Sequence, residues 1–246
     1  CRAKLSIVGQ VTRAQADAIA TALLARLPQT APDAAACAPL PPVAPVVALS
    51  APKEERIAFD AAQAQVLIGQ PGYLRRDPDH FALTLGNYIL GGGGFVSRLT
   101  GEVREKRGLT YSIYSGFSPG LEAGAFRMGF QTRPDQADDA IKVSREVLAR
   151  FVAEGPTEAE LKAAKDNLIG GFPLLLDSNR KLLGNIANIA WNDLPLDYLD
   201  TWQKRMNAVT AADIKAAFGR KLQPEKMVTV VLGAKSARPA ASPSGN

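Results

Sequence analysis

Residues 90–111 read LGGGGFVSRLTGEVREKRGLTY, from Leu90 to Tyr111. Consecutive glycines, Gly91–Gly94, remove every Cβ and permit positive φ, so the backbone there can approach a ligand closely or change shape. Before them, Phe81, Leu85 and Tyr88–Ile89 form the apolar stripe of a helix that Asp77 and Pro78 begin and the glycines end. After them, Arg104 and Tyr111 flank a helix-to-strand transition marked by Gly108. A guanidinium is a rigid fork of donors and a phenol adds one more. Such donors suit a peptide carbonyl, or the oxyanion that forms when water attacks it. The competing reading has Arg104 paired with Glu102 or Glu105, and Tyr111 packed on the sheet. A phosphate-binding loop is excluded, because no Lys-Ser/Thr follows the glycines and a helix, not a strand, precedes them.

Outward from this stretch the pattern is regular. Ile57–Gln70 reads as a strand, with Ala64, Val66 and Ile68 alternating toward one side. Thr110–Phe117 and Ala123–Gln131 read as an antiparallel pair around a Ser118-Pro119-Gly120 turn, with Phe126, Met128 and Phe130 alternating on the second strand. A helix follows over about 135–153, carrying Ile141, Val147–Leu148 and Phe151–Val152. Thr157 and Glu160 form a capping box for the next helix. More helix is predicted through Leu182–Ile189, Tyr198–Met206 and a Thr210-capped Ile214–Leu222, before a buried-type strand at Met227–Leu232. Early strands, many helices and one closing strand predict an α+β fold, an antiparallel sheet covered by helices on one side.

The N-terminal region has a different character. Leu5–Val8 reads as a strand, and Thr12 with Gln15 makes a capping box for a helix whose Ile19, Leu23 and Leu27 share one face. Residues 29–52 are Pro-rich and nearly uncharged, as a semi-extended linker is. A lone strand and helix cannot bury their own apolar face. Residues 1–28 are therefore expected to close a preceding, mostly absent domain, residues 53–235 to form the main domain, and 236–246 a disordered tail.

Composition narrows the function classes. Of 246 residues, 46% are hydrophobic and 22% charged, an ordinary globular balance. The net charge of +5 is scattered, and its densest cluster, Arg104, Lys106 and Arg107, is interrupted by Glu105. A nucleic-acid interface would concentrate such charge on one surface, so that partner is excluded. Cys1 and Cys37 could form one bridge but no disulfide framework or cysteine metal site. No apolar run approaches the roughly 20 residues of a spanning helix. The chain opens without a signal peptide's apolar region.

At Gly91–Tyr111 a family resemblance becomes specific. The Gly-rich run, then Ser97-Arg98-Leu99, then Arg104 through Gly108, Leu109 and Tyr111, resembles the second-domain signature of the pitrilysin family of zinc metallopeptidases. Insulin-degrading enzyme and mitochondrial processing peptidase belong to that group. The order of elements over 53–235 is also similar, so the resemblance covers nearly the whole chain. It implies one half of a clamshell that encloses an unstructured peptide. The other half, fused or separate, carries His-x-x-Glu-His and a downstream Glu, which bind zinc and activate water. In this half the resemblance implies that Arg104 and Tyr111 hold substrate and steady the tetrahedral intermediate, while Gly91–Gly94 and Phe95 line the chamber. It also leaves open a homodimer, an assembly role without catalysis, and a periplasmic or cytoplasmic setting.

The departure from the family's catalytic pattern is sharp. His80 is the only histidine, and it stands beside Asp77 and Asp79 at a helix start, as a surface or boundary histidine does. One imidazole cannot complete a His-x-x-Glu-His site. No metal site and no cofactor are expected in this chain, and zinc is expected in the catalytic partner.

Overall fold

The computed structural model describes residues 4–26 and 43–233. Cys1, Leu27, Cys37, most of the linker and the 236–246 tail lie outside the described residues. In chain order the elements are α1 (Arg13–Leu24), β1 (Lys53–Ile57), β2 (Ala64–Pro71), α2 (His80–Asn87), β3 (Ile113–Phe117), β4 (Ala125–Thr132), α3 (Ala137–Glu154), α4 (Glu158–Gly171), α5 (Asn179–Trp191), α6 (Tyr198–Ala208), α7 (Ala211–Lys221) and β5 (Val228–Leu232). Among the described residues no helix is long and apolar enough to cross a membrane. Compactness divides the chain into two units, Cys1–Ala44 with Asn167–Asn207, and Pro45–Asp166 with Ala208–Asn246.

The larger unit holds the sheet, in the order β1-β5-β2-β4-β3. The fold is α+β, as the sequence predicts, but the sheet is mixed: β1 runs parallel to β5, and the other pairs are antiparallel. The expected single strand Ile57–Gln70 is two strands, β1 and β2, split at residues 58–63. The C-terminal β5 inserts between them. Since β1 and β2 run in opposite senses, a strand antiparallel to β2 must be parallel to β1. The predicted alternation holds on β2 and β4, where Ala64, Val66, Ile68, Phe126, Met128 and Phe130 are all buried.

Helices α2, α3 and α7 cover that buried face, the arrangement an amphipathic sheet requires. Aromatic rings pack within and between the layers: Phe117 lies 4.8 Å from Phe126 in the sheet, Phe151 lies 4.8 Å from Phe218 between helices, and Phe117 meets Phe218 edge-on across the layers at 5.9 Å between ring centroids. Helix α2 starts later than the Asp77-Pro78 pattern predicts. The Asp77 carboxylate accepts from the Asp79 N–H at 2.9 Å, so an Asx turn precedes the helix instead of capping it directly.

In the smaller unit the Thr12–Gln15 capping box forms in full at the start of α1. Its apolar residues find no cover among the described residues, and Ile19 and Leu23 are 42% and 48% exposed. The expected strand at Leu5–Val8 also departs from prediction: these residues pair with no strand among those described. A ladder needs a second chain segment, which local sequence cannot supply. Ser178 caps α5, and the Phe172 ring stacks on Trp202 at 4.5 Å, with an interplanar angle of 10°.

Candidate functional site

Helix α2 does not stop cleanly at its last residue. The chain continues into a widened π-type turn over Tyr88–Gly92, where the Gly93 N–H donates to the Tyr88 carbonyl at 2.8 Å. A 3₁₀ turn, Gly94–Val96, and a second π-type segment, Thr100–Glu105, follow. Widened turns of this kind are rare and concentrate at functional sites. Here they re-aim the side chains between α2 and β3.

The glycines serve packing more than mobility. A Cβ on Gly91 would lie 2.5 Å from Ser115 Oγ and 2.7 Å from Leu99 Cδ1, so only glycine lets this turn seat against β3. Gly94 has φ +61° and open space around it, the left-handed conformation that presents the next residue outward. That next residue is Phe95, 68% exposed.

Ser97, Arg98 and Leu99 anchor the loop. The Ser97 hydroxyl donates to the Gly94 carbonyl at 2.7 Å, and Leu99 is fully buried. Arg98 donates to both oxygens of Glu160, at 2.6 and 2.7 Å, and to the Gly155 carbonyl at 3.0 Å. Its guanidinium also lies 5.0 Å from the centroid of the Phe151 ring. The Arg98 hydrogen bonds, reinforced by the Thr157 N–H, hold the Glu160 carboxyl at about 2, well below its ordinary 4.5. Asn87 completes the frame, donating to the Ser115 carbonyl at 3.1 Å and accepting from the Ser115 hydroxyl at 2.8 Å.

On this frame the predicted residues come together. The Arg104 guanidinium carbon lies 4.4 Å from the centroid of Phe95 and 5.1 Å from that of Tyr111. The cation is thus clasped by two aromatic rings. Among the described residues its N–H groups have neither a hydrogen-bond nor an ion-pair partner. The competing reading fails at Glu102, which Lys106 and Arg107 occupy at 2.6 and 2.7 Å. Those hydrogen bonds, Lys106 first, draw the Glu102 carboxyl below the usual carboxylate range. Tyr111 is not packed on the sheet either: it precedes β3, which starts at Ile113, and is 80% exposed. The helix that carries Arg104 ends where the Gly108 N–H donates to the Arg104 carbonyl at 2.8 Å.

The arrangement therefore offers an oriented cation, a phenol and an apolar ring to whatever lies against the loop. Such a set can bind and orient a carbonyl or an anion, but it contains no nucleophile or general base poised by a partner. His80 sits at the start of α2, with its Nδ1 3.0 Å from the Tyr73 hydroxyl. Among the described residues no three His, Cys, Asp or Glu side chains converge as metal ligands would. The residues described do not fit a zinc site. Sequence reading passed over Asn87 and Ser115, which carry no local pattern. In sequence Glu160 shows only as part of a capping box, and its pairing with Arg98 has no local signal.

Comparisons with known proteins point to one family. The family model described as the peptidase M16 inactive domain matches residues 2–168. An uncharacterized zinc protease of Streptomyces coelicolor is 35% identical over 169 residues, which is 68% of this chain and 36% of that protein. The Helicobacter pylori protein YmxG, named a non-peptidase homolog, is 28% identical over 66% of this chain and 38% of its own. The chain thus spans little more than a third of these relatives. Among solved structures, a peptidase M16 inactive domain from Pseudomonas fluorescens superposes with a TM-score of 0.83 at 36% identity, covering 94% of this chain and 53% of that one.

Proposed function

The chain belongs to the peptidase M16 family, matching its inactive domain, and on that premise we propose that it is the substrate-holding half of a zinc metalloendopeptidase. The observation that carries this reading is the clasp of Arg104 between Phe95 and Tyr111. A guanidinium fixed by two rings loses little freedom when it binds, so its donors are available at small entropic cost. Facing a bound peptide, Arg104 and Tyr111 would donate to the scissile carbonyl, and more strongly to the oxyanion as water adds. Phe95 and the Gly91–Gly94 turn would border the chamber. Zinc and the water-activating glutamate belong to a His-x-x-Glu-His half, fused to this one or encoded apart; the zinc protease names of relatives such as the Streptomyces coelicolor protein support that assignment.

The test is reconstitution. Each half is assayed alone and then mixed, with a flexible fluorogenic peptide as substrate. Hydrolysis by the mixture, absent from either half, supports the proposal, and zinc analysis should place the metal in the His-x-x-Glu-His half. A second reading is favoured by one specific observation, the non-peptidase name of the Helicobacter pylori relative. On that reading the chain binds peptides or assembles complexes without taking part in hydrolysis. Tight association of the halves with no peptide cleavage supports it.

A further inference from the structure

The side of the sheet that faces away from the helices carries an apolar patch among polar residues, Lys53, Glu55, Gln65, Arg127 and Gln131. On an antiparallel sheet with one solvated face, outward positions normally alternate to polar side chains. Here Ile57, Leu232, Leu67 and Tyr114 point outward and remain 43%, 37%, 43% and 45% exposed. Their registers place them together: Leu232 pairs with Ile57, and Leu67 faces Tyr114 across Gly129. Tyr114 lies over Gly129, whose missing Cβ would sit 2.6 Å from the phenolic oxygen.

Two cations stand on this face, Lys53 on the edge strand β1 and Arg127 on β4. Arg127 lies in the adjacent register line with Gly69 on one side and Gly116 on the other, so no neighbouring strand side chain flanks it. It is exposed, and among the described residues it has no hydrogen-bond or ion-pair partner. The carboxylate on the same face, Glu55, lies at the far edge strand beside Lys53, at 3.9 Å. An apolar patch beside a guanidinium that stands between two glycines is complementary to an extended chain that carries apolar side chains and one acid.

We infer that this sheet face receives an extended segment of the peptide substrate, and that Arg127 selects an acidic residue in it. The inference rests on the substrate-holding reading and specifies the substrate class. Gly116 lies in β3 and is at most about 17 Å of extended chain from Tyr111, and Arg127 is its cross-strand neighbour about 5 Å further, so Arg127 stands at most about 22 Å from the clasp. An extended peptide covers that span in about six residues, which places the favoured acid within that distance of the held bond.

The experiment measures binding of a labelled, unstructured peptide to the full protein by fluorescence anisotropy. Paired peptides carry Glu or Lys about six residues from the cleaved bond. The Glu peptide should bind about three- to tenfold more tightly at low salt, as an exposed ion pair allows, and the preference should shrink as salt rises. Arg127→Glu should reverse the preference, whereas Arg104→Ala should weaken both peptides and leave their ratio unchanged. A ratio unmoved by Arg127→Glu overturns the inference. If Arg104→Ala still weakens binding in that case, the holding role survives; indifference to both substitutions removes both. A second copy of the chain is the rival occupant: a dimer that dissociates on Tyr114→Glu would assign the face to self-association and overturn the inference.

Discussion

Arg98 and Glu160 meet fork to fork, with Nε and Nη2 of the arginine 2.6 and 2.7 Å from the two carboxylate oxygens. The same carboxylate accepts the Thr157 N–H at 2.7 Å, so one group both starts α4 and fastens the loop that bears Phe95 and Arg104. Loop position and helix start are thereby coupled. The proposed substrate clasp is thus fastened by a pair that lies outside it.

Removing the arginine should cost more than removing the acid. Arg98→Ala leaves Glu160 ionised and half-buried without its counter-charge, whereas Glu160→Gln keeps a hydrogen-bond acceptor. We expect urea denaturation to show about 1–3 kcal/mol lost in the first variant, and less in the second.

The pair also sets a pH dependence. Glu160 ionises at about 2 in the fold against an ordinary 4.5, so its folded form is the weaker proton binder. Its contribution is complete above 4.5, falls as the pH drops below that value, and is gone near 2. The stability difference between wild type and Glu160→Gln should therefore be flat from pH 6 to 8 and narrow on acidification. A difference that widens below pH 4.5 contradicts the assignment.

Gly91 and Gly94 should fail in different ways. Alanine at 91 drives a methyl into Ser115, a clash that costs about 1–3 kcal/mol and displaces the turn. Alanine at 94 meets nothing, but must adopt φ +61°, at about 1–2 kcal/mol. Gly94→Asn should recover part of the second loss, because asparagine tolerates that conformation, while Gly91→Asn should be worse than Gly91→Ala. Paired thermal melts check both.

What sequence could reveal here divides by distance along the chain. The capping boxes of Thr12, Thr157 and Thr210 all form, because each involves residues three apart. Alternation on β2 and β4 shows which residues are buried, since side-chain direction is a local property of a strand. Strand order is different: nothing near Lys53 or Val228 signals that β5 slots between β1 and β2. Leu5–Val8 has strand composition but no paired strand among the described residues. The site follows the same division. Arg104, Phe95 and Tyr111 were legible because one short segment holds them, and the resemblance marked their spacing. Glu160, 62 positions from Arg98, was not. The widened turns were also hidden, because the Leu90–Gly94 composition suits a loop and a π-type turn equally well.

Turnover by the assembled two-half enzyme, with this chain carrying Arg104→Ala or Tyr111→Phe, reaches the centre of the account. Because Tyr111 is exposed and Arg104 makes no hydrogen bond or ion pair among the described residues, melting temperatures should stay within about 2 °C of wild type. Loss of a donor to the developing oxyanion should lower kcat by about tenfold to several hundredfold for Arg104→Ala, and by a smaller factor for Tyr111→Phe. Unaltered kcat and KM in both variants, with both folded and assembled, would contradict the assigned role.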